Sequence, residues 1–185
     1  IFRRYHADGA EPVVGISVRN WQHETRFKDV MAEVADRIVR ELSARVVFLP
    51  MQFPEDVHAA ESIAERTHEP CTVLKDEYTT SEFLSLVGNM DLMLAIRLHA
   101  LIFAGVMGVP MIGVSYDPKI DRFLSSIGEK PVGSLDTVTA DELMAEIRRK
   151  WNDKAVFRKR NAELLGKLRD LAARNAELAL QLIGH

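Results

Sequence analysis

Short apolar runs alternate with longer amphipathic segments along most of the chain. Runs that are apolar at nearly every position, rather than at alternate positions, are typical of strands covered on both faces. The five runs of this kind are 12–19, 44–51, 71–75, 91–96 and 109–115. Polar residues, glycine or proline bound each run, so we expect five short strands.

Between these runs, apolar residues recur at spacings of three and four, the period of an amphipathic helix. The clearest case is the segment 25–43, whose apolar positions are Phe27, Met31, Val34, Ile38 and Leu42. The other predicted helices are 54–67, 79–89, 98–108, 119–128 and 139–151. Strands that alternate with helices favour a parallel sheet, so the predicted fold class is α/β, a Rossmann-like doubly wound parallel sheet.

The last segment, residues 154–185, predicts one long helix with a narrow apolar seam. The seam positions alternate in steps of four and three and are Leu164, Leu168, Leu171, Asn175, Leu178 and Leu182. We therefore divide the chain into a Rossmann-like lobe, 1–153, and a C-terminal helix, 154–185. The helix either packs on its own or a neighbouring lobe, or it self-associates as a coiled coil with Asn175 in the seam.

Composition narrows the range of functions. The net charge of the 185 residues is −3 at pH 7, so no basic excess suggests nucleic acid as a partner. Cys71 is the single cysteine and no His or Cys spacing fits zinc, so we expect neither an internal disulfide nor a metal site. No apolar run reaches the length of a membrane span. The opening residues lack the apolar core of a signal peptide and an initiator Met, so we expect a piece of a longer chain.

Arg97 and His99 stand out because they interrupt an otherwise apolar stretch. Arg97 falls where the fourth strand should end, and His99 falls where the next helix should begin. A helix N-terminus binds anions through its free N–H groups, and an arginine adds a planar fork for phosphate or carboxylate. We therefore predict a rigid anion site beside a titratable imidazole. Two other interpretations stay open: Arg97 pairs with a neighbouring carboxylate, and His99 is a neutral helix cap.

Polar residues also follow three other predicted strands. In doubly wound sheets, ligands bind outside the carboxyl ends of the strands. Arg19 ends the first strand, Gln52 follows the second, and Tyr116 and Lys119 follow the fifth. If Arg19 and Arg97 face one crevice, they suit a ligand with more than one negative charge; alternatively, Arg19 is a solvated charge. Tyr116, Lys119 and, less strongly, Gln52 are further candidates for binding it, although the segment around Tyr116 also fits an ordinary strand-to-helix turn.

The stretch DLMLAIRLHALIFAGVMGVPMIGVSYDPK, residues 91–119, resembles the signature region of the polysaccharide pyruvyl transferase family. It is most similar to the bacterial cell-wall branch, which modifies the secondary polymer that anchors S-layer proteins. The segments GISVRNW (15–21) and PMQFPED (50–56) resemble upstream motifs of the family. The resemblance implies a GT-B-like enzyme with two Rossmann-like lobes, of which this chain is the C-terminal lobe.

The resemblance also implies an activity. The family transfers a pyruvyl group from phosphoenolpyruvate to two hydroxyls of one sugar and forms a cyclic ketal, with no cofactor. By resemblance, Arg19 and Arg97 hold the phosphate and the carboxylate of phosphoenolpyruvate, and His99 acts as general acid or base, a role that suits a group titrating near neutral pH. Tyr116, Lys119 and Gln52 are expected as further substrate contacts.

The expected partners follow from the same resemblance. They are phosphoenolpyruvate, a lipid-linked saccharide acceptor that contains an amino sugar, and the N-terminal lobe of the same full-length chain. The expected location is the cytoplasm, at the inner face of the membrane where lipid-linked sugars lie. Two alternatives remain: a GT-B glycosyltransferase or nucleotide-sugar epimerase lobe that binds a UDP-sugar, and a non-catalytic interaction module that works through the leucine seam.

Overall fold

The computed structural model describes residues 11–20, 25–157, 159–163 and 174. The residues of the predicted leucine seam all lie outside this described part. Residues 154–157 and 159–163 are helical and pack on the lobe: Phe157 is buried in the core, and the Asn161 side chain donates a hydrogen bond to the Gly105 carbonyl at 2.6 Å.

Strands and helices alternate as the hydrophobic pattern predicts. The strands are β1 (Val13–Ser17), β2 (Arg45–Phe48), β3 (Cys71–Val73), β4 (Leu92–Ala95) and β5 (Met111–Gly113). The helices are α1 (Thr25–Leu42), α2 (Glu55–Ala64), α3 (Thr80–Gly88), α4 (Leu98–Met107), α5 (Pro118–Ser126) and α6 (Ala140–Asn152). These five strands and six helices, all within the described residues, were each predicted, and the strands are shorter than the apolar runs that contain them.

The sheet is parallel throughout, in the order β3-β2-β1-β4-β5. Apolar side chains of α1, α2 and α6 cover one face, and those of α3, α4 and α5 cover the other. The chain changes face after β3 and returns to the middle of the sheet, where β4 pairs with β1. The doubly wound Rossmann-like prediction is confirmed, and the topological switch point lies between β1 and β4.

Local signals explain where several helices begin and end. Thr79 and Thr139 form capping boxes with Glu82 and Glu142, so α3 and α6 each begin with their first N–H groups satisfied. Helix α4 ends at Gly108, which adopts the left-handed conformation (φ 69°) that favours glycine. No helix in the described part of the chain is long and apolar enough to cross a membrane.

Candidate anion site at the carboxyl edge of the sheet

Two arginines follow the two central strands at the topological switch point. Ser17 of β1 and Ala95 of β4 are register partners, and the Ile96 N–H donates to the Ser17 carbonyl at 3.0 Å. Arg19 and Arg97 each lie two residues beyond this pair. Beyond it, the chain from β1 leads to α1 on one face and the chain from β4 leads to α4 on the other. This divergence opens the crevice in which doubly wound folds bind ligands.

Arg97 stands at the N-cap of α4 and is paired with a carboxylate. Its Nη2 donates to Asp56 Oδ1, and the same nitrogen donates to Gln52 Oε1 at 3.2 Å. Only 15% of the Arg97 side chain is exposed, and Asp56 is completely buried. Arg97 Nε is also buried and has no hydrogen-bond partner among the described residues. The structure therefore shows the alternative in which Arg97 meets a carboxylate, and it leaves one buried donor of the fork unused.

Asp56 is the residue of this site that the sequence did not identify. In the sequence, Asp56 is visible only as an acidic residue in the first turn of a predicted helix, where the positive end of the helix dipole stabilises a negative charge. In the structure, Asp56 Oδ2 also accepts hydrogen bonds from the N–H groups of Met51 and Gln52, at 3.1 and 2.9 Å. Asp56 thus fixes the loop after β2 and holds Arg97 at the same time. An acidic residue shortly after a strand end is the one signal that could have identified it.

Arg19, Tyr116 and Lys119 form a second cluster at this edge. The Arg19 Nη1 donates to the Tyr116 hydroxyl at 3.0 Å, and the Arg19 guanidinium lies 5.3 Å from the centre of the Tyr116 ring. Lys119 Nζ lies 5.6 Å from the same ring centre. Both cations therefore lie within cation–π range of one aromatic ring, which contacts them electrostatically without neutralising them.

The turn that carries Tyr116 and Lys119 is fixed by Asp117. Its carboxylate accepts a hydrogen bond from the Lys119 N–H at 2.9 Å and caps α5, whose first residue is Pro118. The backbone N–H and the ammonium group of Lys119 hold the pKa of Asp117 below its usual value. The cap keeps Lys119 at the start of α5, and its side chain stays half exposed, at 48%.

His99 lies in the first turn of α4 and is exposed. Its imidazole makes no hydrogen bond within the described part of the chain, and α4 has no side-chain cap, so the helix-cap alternative is not what the structure shows. His99 is two residues from Arg97 in sequence and is open to solvent at the carboxyl edge. No group of His, Cys, Asp and Glu among the described residues could hold a metal ion.

Comparison with known proteins identifies the family. The sequence profile of the polysaccharide pyruvyl transferases matches residues 7–118, more than half of the chain. The chain belongs to the polysaccharide pyruvyl transferase family. The match includes the strand-end residues Arg19, Gln52, Arg97, His99 and Tyr116, and it ends one residue before Lys119. The resemblance found in the sequence is thereby confirmed at the level of the family.

Solved structures of other families share the fold of this pyruvyl transferase family member. S. aureus MnaA, solved with UDP, superposes with a TM-score of 0.65 at 9% identity, over 86% of this chain and 42% of MnaA. The C-terminal domain of the group 1 glycosyl transferase LpcC from Francisella tularensis gives a TM-score of 0.62 at 10% identity, over 89% of this chain and 90% of that domain. The C-terminal CMP-Kdo binding domain of WaaA from Acinetobacter baumannii gives a TM-score of 0.58 at 11% identity, over 89% of this chain and 93% of that domain.

These likenesses show the fold alone, because the identities are very low. They confirm that the chain is built like the C-terminal lobe of GT-B-type proteins. It spans about two fifths of the length of MnaA. Among proteins of curated function, none is significantly similar to this chain in sequence.

Proposed function

We propose that this member of the pyruvyl transferase family takes part in transferring the pyruvyl group of phosphoenolpyruvate to two hydroxyls of one sugar. The observation that supports the proposal is the pair of arginines, Arg19 and Arg97, beyond neighbouring register partners at the switch point. Phosphoenolpyruvate carries a carboxylate and a phosphate on the same carbon atom, so its recognition requires two cationic groups side by side. Arginine suits both anions because its planar fork matches their geometry.

The two arginines are prepared for this role in different ways. Arg97 is held by buried Asp56, and its Nε has no hydrogen-bond partner among the residues that the structure describes. Arg19 is oriented by the Tyr116 hydroxyl and ring. The Lys119 ammonium, which also pairs with Asp117 at 3.4 Å, lies near the same ring. The N-terminus of α4 adds free backbone N–H groups beside Arg97. Gln52 is a weaker candidate for substrate contact, since its carboxamide already accepts from Arg97.

The proposed reaction needs proton transfer at each step. A proton added to the methylene carbon of phosphoenolpyruvate leaves a positive, oxocarbenium-like centre on the adjacent carbon. The first sugar hydroxyl attacks that centre and loses its proton, and the second hydroxyl then displaces phosphate and loses its own, which closes the ketal. We assign His99 as the general acid or base, because imidazole exchanges protons near neutral pH and His99 is exposed at the anion site.

We further propose the setting of the reaction. The acceptor is a lipid-linked saccharide with an amino sugar, a precursor of the cell-wall polymer that anchors S-layer proteins, and the N-terminal lobe of the full-length enzyme completes the cleft. The reaction takes place in the cytoplasm at the inner membrane face, where phosphoenolpyruvate and lipid-linked sugars meet. A UDP-sugar ligand is the second candidate, since MnaA, which shares this fold, was solved with UDP.

The first experiment is calorimetric titration of the chain with phosphoenolpyruvate and, separately, with uridine diphosphate. We expect saturable binding of phosphoenolpyruvate. The binding should weaken by about tenfold or more when Arg97→Ala is combined with Asp56→Asn, because one of the two forks is lost. The double variant is used because Arg97→Ala alone leaves a buried carboxylate without its cation.

The matched control is Arg40→Ala. It removes an equal charge from the last turn of α1, where Arg40 is exposed beside Glu69, and should leave phosphoenolpyruvate affinity unchanged. Tighter binding of uridine diphosphate than of phosphoenolpyruvate would replace this proposal with the nucleotide-sugar candidate. In the complete enzyme, His99→Ala should abolish turnover and retain phosphoenolpyruvate binding; full activity in that variant would exclude the acid–base role.

A further inference from the structure

Phe53 is exposed in the loop between β2 and α2, next to a residue that contacts Arg97 of the candidate anion site. Half of the residue, 50%, is accessible to solvent, and it is the only aromatic residue classed as exposed in the described part of the chain. The other exposed large apolar residues are Val106, Met107 and Val156, all of them aliphatic and none of them next to a residue of the anion site. A single exposed aromatic ring is common on protein surfaces and needs no explanation by itself. Phe53 differs because it follows Gln52, whose side chain contacts Arg97 of the anion site.

The loop that carries Phe53 is firmly held. The Asp56 carboxylate accepts from the N–H groups of Met51 and Gln52, and the Asp56 N–H donates to the Gln52 carbonyl at 2.9 Å. The Pro54 carbonyl accepts hydrogen bonds from the N–H groups of Val57 and His58 in α2, at 3.0 and 3.2 Å. The exposure of Phe53 therefore belongs to a defined loop conformation, since the residues on both sides of it are fixed by hydrogen bonds.

The same loop is joined to the anion site. Gln52, the residue before Phe53, accepts a hydrogen bond from Arg97 Nη2 at 3.2 Å, and Asp56, three residues after Phe53, is the ion-pair partner of Arg97. Phe53 thus lies in the chain between two residues that contact Arg97, in the loop that borders the candidate anion site. An aromatic ring at such a place offers an apolar surface beside strongly polar groups, which is the usual composition of a specific small-ligand site.

We propose that Phe53 is the stacking platform of the acceptor-sugar subsite, a proposal that rests on the proposed function. The sugar must bring two hydroxyls to the carbon next to the carboxylate of phosphoenolpyruvate, so its ring lies beside the arginines. A pyranose ring has C–H groups on one face and hydroxyls around its edge. Its C–H face packs on the Phe53 ring, and its hydroxyl edge stays turned towards the charged groups.

The test uses saturation-transfer NMR with the methyl glycoside of N-acetylglucosamine as a representative amino-sugar probe, with and without phosphoenolpyruvate. We expect transfer to the C–H protons of the sugar ring. Phe53→Ala should weaken sugar binding about fivefold, the loss that corresponds to one aromatic stacking contact, and Phe53→Trp should retain it. Phosphoenolpyruvate affinity, measured by calorimetry, should be the same in the wild type and both variants.

Val156→Ala is the matched control, since it removes an exposed apolar side chain (67% accessible) away from the carboxyl edge. Unchanged sugar binding in Phe53→Ala, equal losses in Phe53→Ala and Val156→Ala, or no sugar signal from the wild type would each overturn the subsite. Sugar binding that depends on Phe53 while phosphoenolpyruvate fails to bind would support the subsite and contradict the proposed donor. The two proposals therefore fail separately.

Discussion

At the scale of single residues, the pairing of Arg97 with Asp56 links the candidate anion site to the stability of the fold. Asp56 is completely buried, and Arg97 is its only cationic contact in the described part of the chain. Removing one partner of a buried ion pair leaves an uncompensated charge, which costs about 3–5 kcal/mol. We therefore expect Arg97→Ala to lower the free energy of unfolding by about 3 kcal/mol, as measured by urea denaturation.

A second substitution separates the charge from the packing. Adding Asp56→Asn to Arg97→Ala removes the buried negative charge and keeps the size of the side chain, so it should restore at least half of the lost stability. The single variant Asp56→Asn should also destabilise the protein, because its amide cannot accept from both loop N–H groups and still bind Arg97. If the double variant is less stable than Arg97→Ala, Asp56 does not carry an uncompensated charge there.

The sequence predicted which residues lie at the carboxyl edge of the sheet better than it predicted their contacts. Arg19 and Arg97 could be placed at one edge because the carboxyl ends of parallel strands meet there. The contact of Arg97 with Asp56 joins the N-cap of α4 to the first turn of α2, 41 positions apart in the chain, and no local pattern records it. His99 was predicted beside the anion site, and its exposure fits this position, but its role as acid or base stays a prediction.

At the scale of elements, the hydrophobic pattern predicted every described strand and helix. The pattern succeeds because each strand is covered on both faces and each helix has one apolar face, so both periods are visible in the sequence. It fails at the strand ends: the run 71–75 predicts five residues, whereas β3 covers Cys71–Val73. β3 lies at the edge of the sheet and pairs only with β2, so its length is set by that one partner and not by its own apolarity.

One buried carboxylate joins α1 to the loop that precedes β3. Asp36, 3% exposed, accepts hydrogen bonds from the N–H groups of His68 and Glu69, at 2.8 and 2.9 Å, and its Oδ2 lies 3.0 Å from His68 Nδ1. Burial raises the pKa of Asp36, but the hydrogen bonds from Glu69 and His68 outweigh it, so the pKa lies below its usual value. The carboxylate form therefore stabilises the folded state.

Asp36 should thus contribute stability that depends on pH. Because its pKa is lower in the folded than in the unfolded chain, the contribution is complete above the unfolded value near 3.9 and is lost as the pH falls through the folded value. We expect Asp36→Asn to cost about 2 kcal/mol at pH 7, since a neutral amide oxygen accepts from the two N–H groups more weakly than the carboxylate does, and the amide nitrogen replaces the oxygen that faces His68 Nδ1. The cost should shrink in urea denaturation as the pH approaches 2.

The control for this prediction is Asp136→Asn, which changes an exposed carboxylate. It should have little effect at either pH. A cost of Asp36→Asn that is the same at pH 7 and at low pH would mean that the ionised carboxylate is not what stabilises the loop.

At the scale of the whole molecule, the two edges of the sheet are organised differently. The carboxyl edge carries Arg19, Arg97 and His99. The opposite edge carries a buried charge cluster, in which Glu129 lies 2.6 Å from Lys150 and also pairs with Arg160. Lys154, shortly after Lys150, binds Asp91 just before β4, so the end of α6 lies at the amino end of the strands. The cluster therefore holds the helical residues 159–163 to the lobe, away from the anion site.

Because the charge cluster and the anion site lie at opposite edges of the sheet, we expect changes at one edge to leave the other unaffected. Glu129→Gln leaves Lys150, 5% exposed, with only the more distant Glu146 at 3.8 Å, and it should lower the free energy of unfolding by about 2–3 kcal/mol. Phosphoenolpyruvate bound at the carboxyl edge should raise the melting temperature of the wild type. Because distant sites act additively, the same ligand concentration should stabilise Glu129→Gln by an equal free energy, measured by scanning fluorimetry.

Glu65→Gln, at the exposed end of α2, makes the same chemical change without a buried partner and should melt as the wild type does. A ligand-induced stabilisation that is smaller in Glu129→Gln would show that the amino edge is coupled to the anion site. Equal stabilisation of the wild type and of the less stable Glu129→Gln variant would show that the two edges of the sheet are not coupled. The charge cluster would then affect the stability of the lobe and not the binding of phosphoenolpyruvate at the carboxyl edge.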